Sequence, residues 1–247
     1  MRIVSLCPSL TELVFDLGRG GDLIACTKFC IHPERRVKRL MKVGGTKDPQ
    51  VEQIAALFPD LVLMNGEENR REDYQALKGQ GLNCHSTMPR TIEETAEMVR
   101  SIADLLDSTE RGAEIAEKIE QRAAIARETA AGRAPATFAY MIWRDPLMSV
   151  NQDTFSSSLL CNAGGVNVFA DKSDRYPMVD MEELRSIAPD KIFLCTEPYP
   201  FKSKDVVDLS VELDVPMEQI YIADGELLSW HGSRTPAGID YATSLFS

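Results

Sequence analysis

Histidine and tryptophan are scarce in this chain, with 3 His and 2 Trp in 247 residues. Positive charge is also in deficit: 27 Lys and Arg face 38 Asp and Glu, which leaves a formal charge of −11. Nucleic acid is excluded as a partner, because phosphate backbones are bound by basic faces. Anionic membrane surfaces are disfavoured for the same reason. No apolar run approaches the roughly 20 residues that span a bilayer, so no membrane insertion is expected. The catalytic motifs GxSxG, HExxH and the phosphate loop GxxxxGK before Ser or Thr are all missing. Gly44-Gly45-Thr46-Lys47 lacks the upstream glycine of a phosphate loop and reads as a plain turn. No catalytic residue is therefore assigned. The six cysteines (Cys7, Cys26, Cys30, Cys84, Cys161 and Cys195) include no CxxC pair. Several lie in apolar strand contexts, where Cys serves as a small buried hydrophobe. That usage points to a reducing, cytoplasmic compartment. So does the opening Arg2-Ile-Val-Ser, which reads as a strand with no leader before it.

What the chain does have is a long helix former in its middle. Ser108 to Ala131 contains no Pro and one Gly, and nearly every residue favours helix. Ile115, Ala116, Ile119, Ala123 and Ala126 recur at helical spacing among Glu and Arg, so one stripe is buried and the other faces are wet. At 1.5 Å per residue such a helix reaches roughly 35 Å, about the width of a small domain. It reads as a rigid rod between two bodies.

Those bodies repeat each other. Glu52-Gln-Ile-Ala-Ala-Leu-Phe-Pro-Asp-Leu-Val-Leu-Met is matched by Glu182-Glu-Leu-Arg-Ser-Ile-Ala-Pro-Asp-Lys-Ile-Phe-Leu. Glu182, Pro189, Asp190 and Glu197 each lie 130 residues after Glu52, Pro59, Asp60 and Glu67. Each copy reads as a short amphipathic helix, a Pro-Asp turn, a buried strand and an acidic loop. The expected organisation is an N-terminal α/β lobe over 1–107, a linking helix over 108–132 and a C-terminal α/β lobe over 133–247. Strands alternating with helices imply two similar Rossmann-like lobes with mostly parallel sheets. Finer signals include a capping box from Ser9 and Glu12, and a first repeat helix opened by Asp48-Pro49.

Ligands of parallel sheets collect at the carboxyl ends of the strands. The loops predicted there carry Pro8 and Ser9, Lys28 and Phe29, Asn65 and Glu67, Trp143 and Arg144, Glu197 and Pro198, and Trp230 and His231. Trp143, Tyr176 and Trp230 stand beside Arg144, Arg175 and Arg234, a pairing suited to a sizeable organic ligand with carboxylate, amide or phosphate groups. The alternative places these aromatics at the rim of each lobe's own core. Cys30, His32 and His231 would be the ligands of a metal-dependent enzyme. With so few histidines, solvent-facing loop residues are the plainer reading and no metal site is assigned.

RIVSLCPSLTELVFDLG, VGGTKDPQVEQIAALFPDLVL, the linking helix, PMVDMEELRSIAPDKIFL and the late loop SWHGSRTP resemble, over essentially the whole chain, the helical-backbone (class III) substrate-binding proteins of ABC importers. These serve vitamin B12, ferric siderophores and haem, and the resemblance is greatest to the cobalamin-binding branch. It implies a non-enzymatic, monomeric receptor without an intrinsic cofactor, holding a corrinoid or related metal chelate in a cleft between the lobes. It also implies an extracytoplasmic station. Phe29, Thr46, Leu147 and Tyr176 line up with the aromatic set that holds the corrin in that branch, although two of the four are not aromatic. Pro8, Ser9, Glu67, Trp143, Arg144, Glu197, Trp230, His231 and Arg234 complete the expected ligand set. Glu52 and Glu182 match the surface carboxylates that dock onto arginines of the permease dimer. A ferric-siderophore or haem receptor, and a cytosolic cofactor-handling protein on the same frame, are the other readings.

Overall fold

A computed structural model describes residues 1–247. The chain divides into two compact units, one of Met1–Pro89, Glu94–Glu117 and His231–Arg234, the other of Arg90–Glu93, Lys118–Trp230 and Thr235–Ser247.

The first unit holds β1 (Ile3–Ser5), α1 (Pro8–Asp16), β2 (Leu23–Cys26), α2 (Glu34–Val37), β3 (Met41–Lys42), α3 (Val51–Ala56), β4 (Leu61–Asn65), α4 (Arg71–Gly79) and β5 (Cys84–Thr87). Its sheet runs β3-β2-β1-β4-β5, with every pair parallel. Val4, Leu6, Ala25, Val62 and Met64 from the strands pack with Ile54 of α3 and Leu77 of α4 into one core. Two helices follow, α5 (Ile92–Leu105) and α6 (Thr109–Ala131).

The second unit holds β6 (Ala136–Met141), α7 (Phe155–Asn162), β7 (Gly165–Asn167), α8 (Met181–Ile187), β8 (Lys191–Cys195), α9 (Ser203–Leu213), β9 (Ile220–Ala223), α10 (Gly225–Ser229) and α11 (Thr235–Leu245). Its sheet, β7-β6-β8-β9, is also wholly parallel. The fold is therefore two parallel-sheet lobes joined by the long helix α6.

The buried stripe of α6 is Gly112, Ala116, Ile119, Ala123 and Ala126. Alternating steps of four and three residues make a narrow seam of mostly small side chains. Ile115, expected in that stripe, sits half-buried at its edge, and Gly112 takes the position instead. A Cβ on Gly112 would stand 2.1 Å from the Cβ of Ala103 on α5, so the two helices approach closely there.

The 130-residue repeat is visible in the backbone. β4 and β8 each span five residues at that offset, and α3 and α8 both place a Glu (Glu52, Glu182) second in the helix. Even the left-handed residue ahead of each Pro-Asp repeats: Phe58 has φ 46° and Ala188 φ 48°. Each Asp then clasps the first strand of its own lobe. Asp60 accepts the Arg2 N–H at 2.7 Å, and Asp190 accepts the Thr137 N–H at 2.7 Å and its hydroxyl at 2.6 Å.

The two copies differ at the helix start. Asp180 caps α8 by accepting the Glu182 N–H at 2.7 Å. Asp48-Pro49 does not open α3, because Pro49 is drawn into a bridge with Gly44 and the helix begins two residues later, behind an uncapped Gln50. The Ser9–Glu12 capping box is also absent. α1 starts at Pro8 behind Cys7, and Glu12 is taken by Arg234.

Candidate functional site

In each lobe the chain lays strands on one side of its first strand and then crosses to the other, so a switch point lies between β1 and β4 and another between β6 and β8. Crevices outside the carboxyl ends of such strand pairs receive ligands.

At the first switch point, Asn65 and Asn69 organise the loops. Asn65 closes β4 and is fully buried. Its Oδ1 accepts the N–H groups of Glu67 (2.9 Å) and Glu68 (3.1 Å), and its own N–H goes to Asn69 Oδ1 at 2.9 Å. With Oδ1 so used, Nδ2 donates to the Thr87 carbonyl at 3.1 Å and reaches His231 Nε2 at 3.2 Å. His231 is itself buried. Asn69 Nδ2 donates to the carbonyls of Leu6 (3.0 Å) and Thr46 (2.9 Å), tying the exits of β1 and β3 to β4. Neither asparagine's structural part was foreseen. The only signal was a polar residue ending an apolar strand with a second four residues on.

On this frame Pro8 is the first residue of α1 and Ser9 is buried, its hydroxyl 3.3 Å from Cys7 Sγ. Thr46 is buried, and Glu67 is half-buried with its carbonyl bound by the Lys47 ammonium. Phe29 is 52% exposed, with the Lys28 ammonium 5.2 Å from its ring centre. Arg234 forms a two-bond pair with Glu12, at 2.8 and 2.7 Å. Burial pushes the Glu68 carboxyl above its usual range, opposed by Lys47.

At the second lobe's strand ends, Trp143 follows β6 and is 40% exposed. Its indole N–H donates to the Asp145 carbonyl at 3.1 Å, and its ring meets Tyr199 edge-on at 5.6 Å. Residues 147–149 pair with 177–179 through Val179 N–H to the Leu147 carbonyl (2.8 Å) and Ser149 N–H to the Pro177 carbonyl (3.0 Å). That ribbon presents Met178, 70% exposed, beside Tyr176, 38% exposed. Trp143, Tyr176 and Met178 are thus open, while Tyr199 is half-buried against the lobe's core beneath Trp143; Tyr199 and Met178 were not anticipated. Tyr199 sits within Glu197-Pro-Tyr-Pro-Phe, where prolines on either side were the available sign of an ordered loop.

The other expected residues here are engaged. Leu147 is buried in the core with Met141, Phe169 and Val179. Arg144 pairs with Glu212 of α9 at 2.7 Å. Trp230 is buried and donates its indole N–H to Glu197 at 2.8 Å. Glu52 and Glu182 are both exposed. No three His, Cys, Asp or Glu side chains are placed to hold a metal ion, so Cys30, His32 and His231 do not assemble into a centre.

The family model for periplasmic binding proteins matches residues 3–208. The chain belongs to the periplasmic binding protein family. Membership makes it a binding protein and not an enzyme. Among relatives of this periplasmic binding protein, the vitamin B12-binding protein of Vibrio cholerae is 27% identical over 192 residues, covering 78% of this chain and 69% of the relative. The vitamin B12-binding protein of Yersinia pestis is 29% identical over 191 residues, covering 77% of this chain and 68% of the relative. Two solved structures share the fold. The periplasmic vitamin B12-binding protein of Vibrio cholerae has a TM-score of 0.84 at 23% identity, covering 98% of this chain and 95% of that one. A periplasmic heme-binding protein of Pseudomonas aeruginosa has a TM-score of 0.86 at 20% identity, covering 99% and 92%.

Proposed function

We propose that this protein captures a corrinoid, cobalamin or a close analogue, outside the cytoplasm and passes it to an ABC importer. The observation that carries the reading is the set of open aromatic faces at strand carboxyl ends: Phe29 in one lobe, and Trp143 and Tyr176 in the other. A corrin is a broad, largely apolar macrocycle rimmed with amides, and exposed aromatic rings offer it area at little conformational cost. The B12-binding relatives support the ligand class. They also support a periplasmic station over the cytoplasmic one that cysteine usage suggested, and a permease as partner. Glu52 and Glu182, exposed at matching positions of α3 and α8, are the docking carboxylates of this reading. The buried residues of the expected set (Ser9, Thr46, Leu147, Trp230 and His231) shape the loops from beneath, and Glu67, Arg144, Glu197 and Arg234 brace them.

A second reading is haem, and Tyr176 favours it. Its ring lies 6.0 Å from the Arg175 guanidinium, and tyrosine is a known axial ligand of haem iron.

Titration with cyanocobalamin, cobinamide and hemin, followed by tryptophan quenching and the chromophore's own absorption, separates the readings. Saturable corrinoid binding is expected, with Phe29→Ala and Tyr176→Ala each weakening it by roughly 1–3 kcal/mol. Tight hemin binding with no corrinoid binding transfers the assignment to haem. Unchanged corrinoid affinity in both variants removes these rings from the site.

A further inference from the structure

The open rings of the second unit do not stand alone. Trp143, Met148 and Met178 are cross-strand neighbours in an antiparallel ribbon, Trp143 opposite Met148 and Met148 opposite Met178. The Ser149 N–H meets the Pro177 carbonyl at 3.0 Å, and the Val179 N–H meets the Leu147 carbonyl at 2.8 Å. Those two bonds flank Met148 and Met178, which makes them a non-hydrogen-bonded pair, the kind that brings side chains closest. Directly opposed residues share a face, and burial shows which face is open. Leu147, Pro177 and Val179 turn inward, while Trp143, Tyr176 and Met178 are exposed and Met148, in the middle segment, is half-buried.

We infer that Met148 and Met178 are ligand-binding residues: with Trp143 and Tyr176 they form one uncharged platform that takes the ring face of a corrinoid. This deepens the receptor reading and rests on it. Neighbouring strands lie about 4.8 Å apart, so the row from Trp143 to Met178 runs about 10 Å. Alternate residues of a strand are about 7 Å apart, and Tyr176 widens the row by that much. The footprint is that of a macrocycle, not of a single stacked group. None of the four side chains carries a charge. The arginines next to them in sequence are paired, Arg144 with Glu212 at 2.7 Å and Arg175 with Asp153 at 3.5 Å.

The members of the platform divide the work. The Trp143 ring is fixed from two sides, by its indole N–H on the Asp145 carbonyl and by its contact with Tyr199, so it offers a ready plane. The methionines do the opposite. An unbranched thioether with three rotatable bonds moulds itself to an uneven surface, and its polarisable sulfur favours contact with π-systems. A corrinoid face is uneven, since the ring is puckered and carries methyl groups and amide arms. One rigid ring beside two adaptable thioethers suits that shape. A ferric siderophore presenting bare carbonyl and hydroxyl oxygens would leave them unpartnered against these side chains, at a cost.

The test is a footprint on the full wild-type chain. Hydrogen peroxide converts accessible thioethers to sulfoxides, and peptide mapping by mass spectrometry reads each methionine separately. Met178, Met217 and Met41 are 70%, 50% and 47% exposed, so all three should oxidise readily in the free protein. Saturating cyanocobalamin is expected to slow oxidation of Met178 several-fold and to leave Met217 and Met41 unchanged. Met178→Asp is expected to weaken cyanocobalamin binding about tenfold or more, because its carboxylate loses water against the ring. Met178→Leu, apolar and of similar volume, should recover most of that loss. Cyanocobalamin bound without protection of Met178, or bound equally well by Met178→Asp, overturns the inference and leaves the receptor reading intact. No cyanocobalamin binding by the wild type removes both. The footprint needs no variant, so it decides even if Met178→Asp fails to fold.

Discussion

Asn65 shows how much of this site rests on single buried amides. Its side chain and N–H together engage Glu67, Glu68, Asn69, Thr87 and His231, so the β4 exit loop has its backbone donors satisfied by one residue. Truncation would strand several of these partners without water, and each buried unsatisfied group costs about 1–3 kcal/mol. Asn65→Ala is therefore expected to lower unfolding stability by roughly 2–4 kcal/mol in urea melts; a loss below about 0.5 kcal/mol would mean that water replaces the amide. Little of this was legible in the sequence. An Asn at a strand end does not announce that a His 166 residues later will be its partner. For the same reason Glu12 read as half of a capping box, when Arg234, distant in the chain, holds it. Leu147 read as a ligand contact by alignment with its relatives, and in this protein it packs into the core.

Elements were far more legible than contacts. The 130-residue repeat could be read because a helix, a Pro-Asp turn and an apolar strand each leave a local pattern. The long helix could be read because nothing in it opposes helix formation. Missed elements were those with too little pattern to see: β3, with two residues, and β7, with three. The 11-residue α9 was also passed over, since its Val207 and Val211 turn outward and blur the stripe.

What the Pro-Asp turns do became clear only from the clasps they form. Asp190 is held below the usual carboxylate range by the Thr137 hydroxyl first and the Thr137 N–H second. Lowered in the folded state, its pKa contributes stability that is present above the unfolded value of about 3.9 and lost as pH falls through the folded one. Asp190→Asn should remove that dependence. Wild type and variant should differ near neutral pH and converge in the acid limb of a stability–pH curve. Curves that stay parallel through the acid limb would show that the clasp does not depend on charge.

For the whole molecule, the proposed hand-over depends on surface charge and not on packing. Glu52→Lys and Glu182→Lys should leave thermal stability and ligand affinity nearly unchanged, because exposed charges at helix starts are worth about 0.3–1 kcal/mol. Together they should abolish transporter-dependent corrinoid uptake by cells. Normal uptake in the double variant would dismiss the docking assignment and leave ligand capture untouched. The pair of Glu12 and Arg234, described above as local bracing, also reaches across time. Its partners are separated by 222 residues, and translation adds roughly 5–20 residues per second. The first lobe's helix that carries Glu12 thus waits roughly 10–45 seconds for the tetrapeptide His231–Arg234 that braces it. The first unit therefore closes its own loops only after most of the second unit has been made.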